Sequence, residues 1–171
     1  DWVSLEFADQ IDVPADAWID WDAANQRFIT VGERNPEGLT SLAKTTVYYP
    51  SDMWTTVKWH DGSPITIGDF VLFMIQTFDT SKPESAIYDE AQVPAFEALA
   101  SYFKGVRILS TDPLVIETYD DLYTTDAELM VTYFAIRWFP TTAFGPISWH
   151  AFALGYLGES NGELAFSPDK A

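Results

Sequence analysis

Any chemistry in this chain would have to be built from few kinds of reactive group. It has two histidines, His60 and His150, no cysteine, and 26 Asp plus Glu among 171 residues. Acyl transfer needs a nucleophile, a base and an acid that orients the base. No Gly-x-Ser-x-Gly turn is present to raise a serine into that role. A helix-borne zinc site needs paired histidines of the His-x-x-x-His or His-Glu-x-x-His kind, and neither spacing occurs, so no metal site is expected. His60, in a tight turn, reads as a structural hydrogen-bonder. His150, within an apolar stretch, reads as a partly buried helix residue. The lack of cysteine removes disulfide frameworks, thiolate metal sites and cysteine nucleophiles together.

The acids offer more combinations. Asp120-Asp121 and Asp20/Asp22 are neighbouring pairs of the type that glycoside hydrolysis uses as acid and base. Adjacent acids are more often solvated loop residues, and that is the expectation here. Trp18 and Trp21 could stack on sugar rings as a carbohydrate-binding module does. On a strand, positions 18 and 21 face opposite sides, whereas on a helix they share one. Neither a phosphate loop nor a Gly-x-Gly-x-x-Gly turn is found, so no nucleotide cofactor is expected. Nothing in the pattern resembles a reaction centre, and no enzymatic activity is expected.

Composition narrows the partners. With 9 Lys plus Arg the formal charge is −17, which argues against nucleic acid and against an anionic membrane surface. Hydrophobic residues at 47% and charged residues at 20% are those of a globular domain. The 7 Trp, 8 Tyr and 12 Phe mostly sit in apolar runs and so should fill a core. No run is long enough to span a bilayer. Asp1-Trp2-Val3 opens without the basic start of a secretory leader, and Ser167-Pro168-Asp169-Lys170-Ala171 form no obvious terminus. Either a cytoplasmic protein or a mature or excised portion of a longer one is therefore expected.

The elements that would hold these residues can be read from turn and period signals. Short strands are expected over 26–31, 45–49 and 54–59, with turns at 22–25 and 35–38. His60-Asp61-Gly62-Ser63-Pro64 is a tight loop, in which Gly62 supplies a permissive backbone. Thr66 then caps a helix over 67–78, with Asp69 reaching back to its amide. That helix is apolar on nearly every side and should be buried. A second helix is expected over 93–103, opened by Pro94 and ended by Gly105. Strands at 106–109 and 114–118 form a hairpin around Ser110 to Pro113. The stretch 126–139 fits either period, Pro140 and Pro146 bracket a loop, and Ser148 caps a last helix stopped by Gly158 or Gly162. The fold class is α+β, a mixed sheet flanked by helices within one domain spanning 1–171.

From Val57 to Val71 the order Lys58-Trp59-His60-Asp61-Gly62-Ser63-Pro64-Ile65-Thr66-Ile67-Gly68-Asp69-Phe70 resembles the signature of family 5 extracellular solute-binding proteins. These are the peptide and nickel receptors of ABC importers. Nearly every fixed position is matched, and Gly68, where that family often has Ala, is a minor departure. Residues 104–116 are similar to the hairpin that follows the signature, and 11–31 to the strands that precede it. The likeness is strongest over 11–120, with 148–171 as weaker support. It implies a portion of the first lobe of a two-lobed, class II periplasmic-binding-protein-like receptor, extracellular or periplasmic, secreted or membrane-anchored. The implied partners are a peptide or other small solute and an ABC importer permease, with no cofactor and no catalysis. Solute contacts in the family come chiefly from the lobes flanking the cleft, so no ligand-binding residue is carried over. Trp59, His60, Asp61, Gly62, Pro64, Thr66 and Asp69 match the signature and are assigned a folding role. Surface bared by a missing lobe could also drive self-association.

Overall fold

The computed structural model describes residues 2–123, 125–142, 145–166 and 170. Four of the five residues expected to form no clear terminus, Ser167, Pro168, Asp169 and Ala171, lie outside the described residues, as does Asp1. The frame is a six-stranded sheet of β1 (Val3–Asp12), β2 (Trp18–Asp22), β3 (Arg27–Thr30), β4 (Thr40–Tyr48), β5 (Phe103–Thr111) and β6 (Leu114–Asp120). Its spatial order is β1-β4-β6-β5-β2-β3. Every pairing is antiparallel, so the expected mixed sheet is corrected to an antiparallel one. The reason lies in the connections. The long helical excursion between β4 and β5 returns one strand away, and β6 fills the gap by folding back on β5 through a tight turn. The α+β class stands.

Helices cover the sheet. One-turn helices α1 (Val31–Arg34) and α2 (Met53–Thr56) lie in its connections, and α3 (Ile67–Asp79) is the central element. A 3-10 turn at Glu90–Gln92 leads into α4 (Val93–Ala100), and α5 (Ala127–Ala135) follows the sheet. A two-strand ribbon, β7 (Thr141–Thr142) with β8 (Gly145–Pro146), precedes α6 (Trp149–Ser160). Phe70, Met74 and Phe78 of α3 are almost fully buried and meet Trp21, Phe103, Val106, Leu114, Ile116 and Trp138 in the main core. No residue of α3 is exposed, as its apolar circumference requires. The opposite face of the sheet holds a smaller core of Ile11, Val13, Ala17, Val31 and Tyr119. β6 is therefore covered on both sides, and none of its residues is exposed.

Several elements differ from expectation. Residues 54–59 do not form a strand. Asp52 O accepts hydrogen bonds from the amides and hydroxyls of Thr55 and Thr56, winding the chain into α2. Only Lys58 bridges to Pro64. α4 stops at Ala100, and Phe103 already belongs to β5. Gly105 does not end the helix but sits at a β5 bulge, where an added Cβ would lie 3.2 Å from the Cβ of Ala17. The ambiguous 126–139 stretch is helical over α5, with Trp138 turned into the core beyond it. α6 passes through Gly158 and ends before Gly162, whose φ of +72° suits the exit. β1 escaped the sequence reading because it is an edge strand, mostly exposed and broken by a bulge between Phe7 and Ile11. No helix among the described residues is long and apolar enough to cross a membrane.

Candidate functional site

The signature residues form one compact structure. Gly62, with φ of +86°, lets its N–H return to Trp59 O at 2.9 Å, while Trp59 N donates to Ser63 O at 2.8 Å. Asp61 Oδ1 accepts from the amide of Ser63 at 2.9 Å and from its hydroxyl at 2.6 Å. These bonds hold the Asp61 carboxyl below its usual range, with the charges of His150 and His60 adding to the effect. The chain then passes Pro64 and Ile65 into α3. Asp69 Oδ2 accepts from Thr66 N at 2.6 Å, closing the expected capping box.

Asp69 does more than the sequence suggested. Its second oxygen accepts the Trp149 amide at 2.7 Å, so one buried carboxylate serves the N-terminal turns of both α3 and α6. Ser148 occupies the N-cap position of α6 as expected but makes no side-chain cap bond. The Trp149 ring lies over Gly68, where a Cβ would meet its Cδ1 at 3.3 Å. An added methyl would need the Trp149 ring to give by a few tenths of an ångström.

A second finding at this corner was not legible locally. α6 brings His150 to the turn, with Nε2 3.4 Å from Ser63 Oγ and 4.0 Å from Asp61 Oδ2. Serine, histidine and aspartate therefore meet, but not as a hydrolytic triad. Ser63 donates its proton to Asp61, and both groups approach the same imidazole nitrogen, whereas a triad acid orients the other one. The two histidines and Asp61 are exposed. His150 is thus not the partly buried helix residue expected. The cluster ties the turn to α6.

The paired acids do not converge either. Asp20 is buried and takes salt bridges from Arg34 at 2.6 Å and Lys82 at 2.8 Å, while Asp22 bonds Asn25 and Arg27. Asp120 is buried against Arg137 at 2.7 Å, and Asp121 meets Lys104 at 2.9 Å. Asp20 and Asp120 are therefore not the solvated loop residues expected. They terminate or occupy strands whose alternation turns one acid inward. The tryptophan pair breaks the same alternation in the other direction. A bulge between Trp18 and Asp20 sets Trp18 opposite Thr30 and Trp21 opposite Phe28, two partners on one face of β3. Trp18 stacks on Phe28 at 4.0 Å, and Trp21 meets its edge at 4.9 Å. Trp21 is buried, and Phe28 covers one face of Trp18, so the pair offers no open two-ring platform. No group of three metal-ligating side chains occurs among the described residues.

What sequence reasoning missed is a cavity of about 260 Å³ between α3, the 80–92 connection and α6. Gln76, Asp89, Tyr156 and Glu159 give it polar groups, and Phe152 and Phe166 give it apolar wall. Gln76 is one of four polar residues in α3, with Asp69, Thr77 and Asp79, and is the one of them that lines the cavity. Burial pushes the Tyr156 hydroxyl up. The Gln76 amide offsets part of that, and Glu159, Asp79 and Asp89 push the same way as burial. No family model matches the chain, and no curated protein matches it either.

Proposed function

We propose that this chain is a non-catalytic part of an extracytoplasmic solute-binding receptor, one that captures a peptide or similar small solute and passes it to an ABC importer permease. The observation that carries this reading is the stretch from Val57 to Val71, whose residue types and order resemble the receptor signature. Its support is that six of the seven signature residues, all but His60, have a folding task. Trp59 packs against the core, Asp61, Gly62 and Pro64 form the turn, and Thr66 and Asp69 start α3. Such a module builds a lobe, and solute would be closed between lobes by hinge motion.

The test is calorimetry with N-acetylated peptides of two to five residues. One titration uses the product of the whole reading frame that contains these residues, the other the 171-residue chain. The expected result is binding by the whole product and none by the chain. Micromolar peptide affinity in the chain alone would overturn the assignment of this part as a scaffold. A whole product that binds no peptide and no other small solute would sink the receptor reading.

A further inference from the structure

Cations are scarce in this chain, and among the described residues their placement leaves three buried acids, Asp69, Asp79 and Asp89, without one. Among the described residues every Lys and Arg except Lys58 is engaged in an ion pair, and none of these pairs includes Asp89. Asp89 is 5% exposed. Its Oδ1 accepts one hydrogen bond, from Ala91 N at 3.0 Å, at the start of the 3-10 turn. A carboxylate this deep normally has a cation or several donors around it. Asp69, buried still deeper, has the amides of two helices. Asp89 has one amide and the cavity.

The rest of that cavity fits a positively charged guest. Gln76 Oε1 is a buried acceptor with no hydrogen-bond partner. Phe152, Tyr156 and Phe166 form a mutual cluster on one wall, with centroids 4.9 to 5.9 Å apart. Glu159 lines both the cavity and the adjoining groove, where its Oε2 accepts from Lys170 Nζ at 3.0 Å. The chain's own ammonium group thus already sits against one of the two lining acids. A volume of about 260 Å³ is below that of a drug-sized pocket yet above the ~150 Å³ that admits one benzene ring.

We propose that the cavity binds a small organic ammonium ion, its charged end on Asp89 and Gln76 beside Glu159 and its apolar body against Phe152, Tyr156 and Phe166. Acidic acceptors select the charge, and rings favour a cation with a compact apolar part. The cavity is built within this chain, so its occupancy is independent of the receptor reading, and the acetylated peptides used above carry no N-terminal ammonium group to confuse the two.

The probe is benzylamine, titrated by calorimetry at neutral pH and low salt, with benzyl alcohol and benzoate as neutral and anionic counterparts. Benzylamine should bind with a Kd of about 1 mM or tighter, within reach of so few atoms. Benzyl alcohol should bind about tenfold more weakly, and benzoate should not bind. Asp89→Asn keeps the turn-capping oxygen and should weaken benzylamine about tenfold, whereas Lys170→Gln should tighten it a few-fold by freeing Glu159. Gln76→Leu, with a circular dichroism spectrum matching the parent, should also weaken it. Equal binding of all three probes would overturn the proposal. So would full affinity in Asp89→Asn, or no benzylamine binding up to about 10 mM by the folded parent chain.

Discussion

Asp120 offers a test of how charge is held in this fold. It ends β6 at 1% exposure, with Oδ1 2.7 Å from Arg137 and Oδ2 buried without a partner. Burial pushes its carboxyl from the usual 3.8 up to about 6, outweighing Arg137, with the charge of Asp121 adding to the rise. The folded chain therefore takes up this proton near pH 6, while the unfolded chain waits until about pH 4. The stability Asp120 contributes is complete below pH 4 and is lost as pH rises through 6. A rise of roughly two pH units corresponds to about 3 kcal/mol, or about 6–12 °C in Tm for a chain of this size. Asp120→Asn cannot titrate. Urea unfolding of parent and variant at intervals from pH 4 to 8 should show the parent's advantage shrinking by up to about 3 kcal/mol across that window. A pH-independent difference would refute the reasoning. A difference growing toward pH 8 would show instead that the Arg137 pair outweighs burial. Arg137→Met gives a second reading, since removing the cation should move the transition above pH 6.

Asp69→Ala removes acceptors from the starts of two helices at once and should cost about 3–5 kcal/mol in urea unfolding, with Asp69→Asn losing less because it keeps one acceptor oxygen. Equal losses in the two variants would show that the second anchor adds nothing. Gly62→Ala meets no atom within 4 Å but must hold a φ of +86°, so a loss of about 1 kcal/mol is expected, measured the same way. A loss near zero would mean that the turn can relax.

The parts of this fold that sequence could reveal are those fixed over a few residues. Gly62, Thr66 and Asp69 define the turn and the helix start by short-range geometry, and the β5–β6 hairpin is set by its own turn. What failed depended on distant neighbours. Trp54 lies in a helical turn because Asp52 O gathers four donors, and its Nε1 reaches Thr111 O across 57 positions of chain. Ser148 does stand at the N-cap of α6, but the acceptor for that helix's first amide is Asp69, 79 positions before Ser148. The bulge that brings Trp18 and Trp21 to one side has no composition signal, since only the register against β3 reveals it. The cavity was illegible for the same reason, because Gln76, Asp89 and Glu159 meet only once α6 has packed on α3.

Charge placement joins these observations into one account. A formal charge of −17 would suggest a surface of solvated acids, yet the few cations are concentrated on acids that the fold buries or half-buries. Arg34 and Lys82 meet at Asp20, Arg107 bonds Glu117, and Arg137 reaches Asp120 while lying 4.7 Å from the Phe134 ring centroid. The Asp20 and Asp120 pairs join the sheet to neighbouring segments and the Arg107–Glu117 pair joins β5 to β6, places where an uncompensated carboxylate would cost several kcal/mol. Asp69 needs no cation because two helix N-termini supply donors. Asp89 has neither arrangement, although it is buried as deeply as Asp79 and deeper than Glu117. Among the described residues Asp79 and Asp89 are the buried acids left with neither a cation nor two helix starts, and of the two Asp89 lines the open cavity. A guest cation would extend to Asp89 the pairing that the chain's own lysines and arginines establish elsewhere.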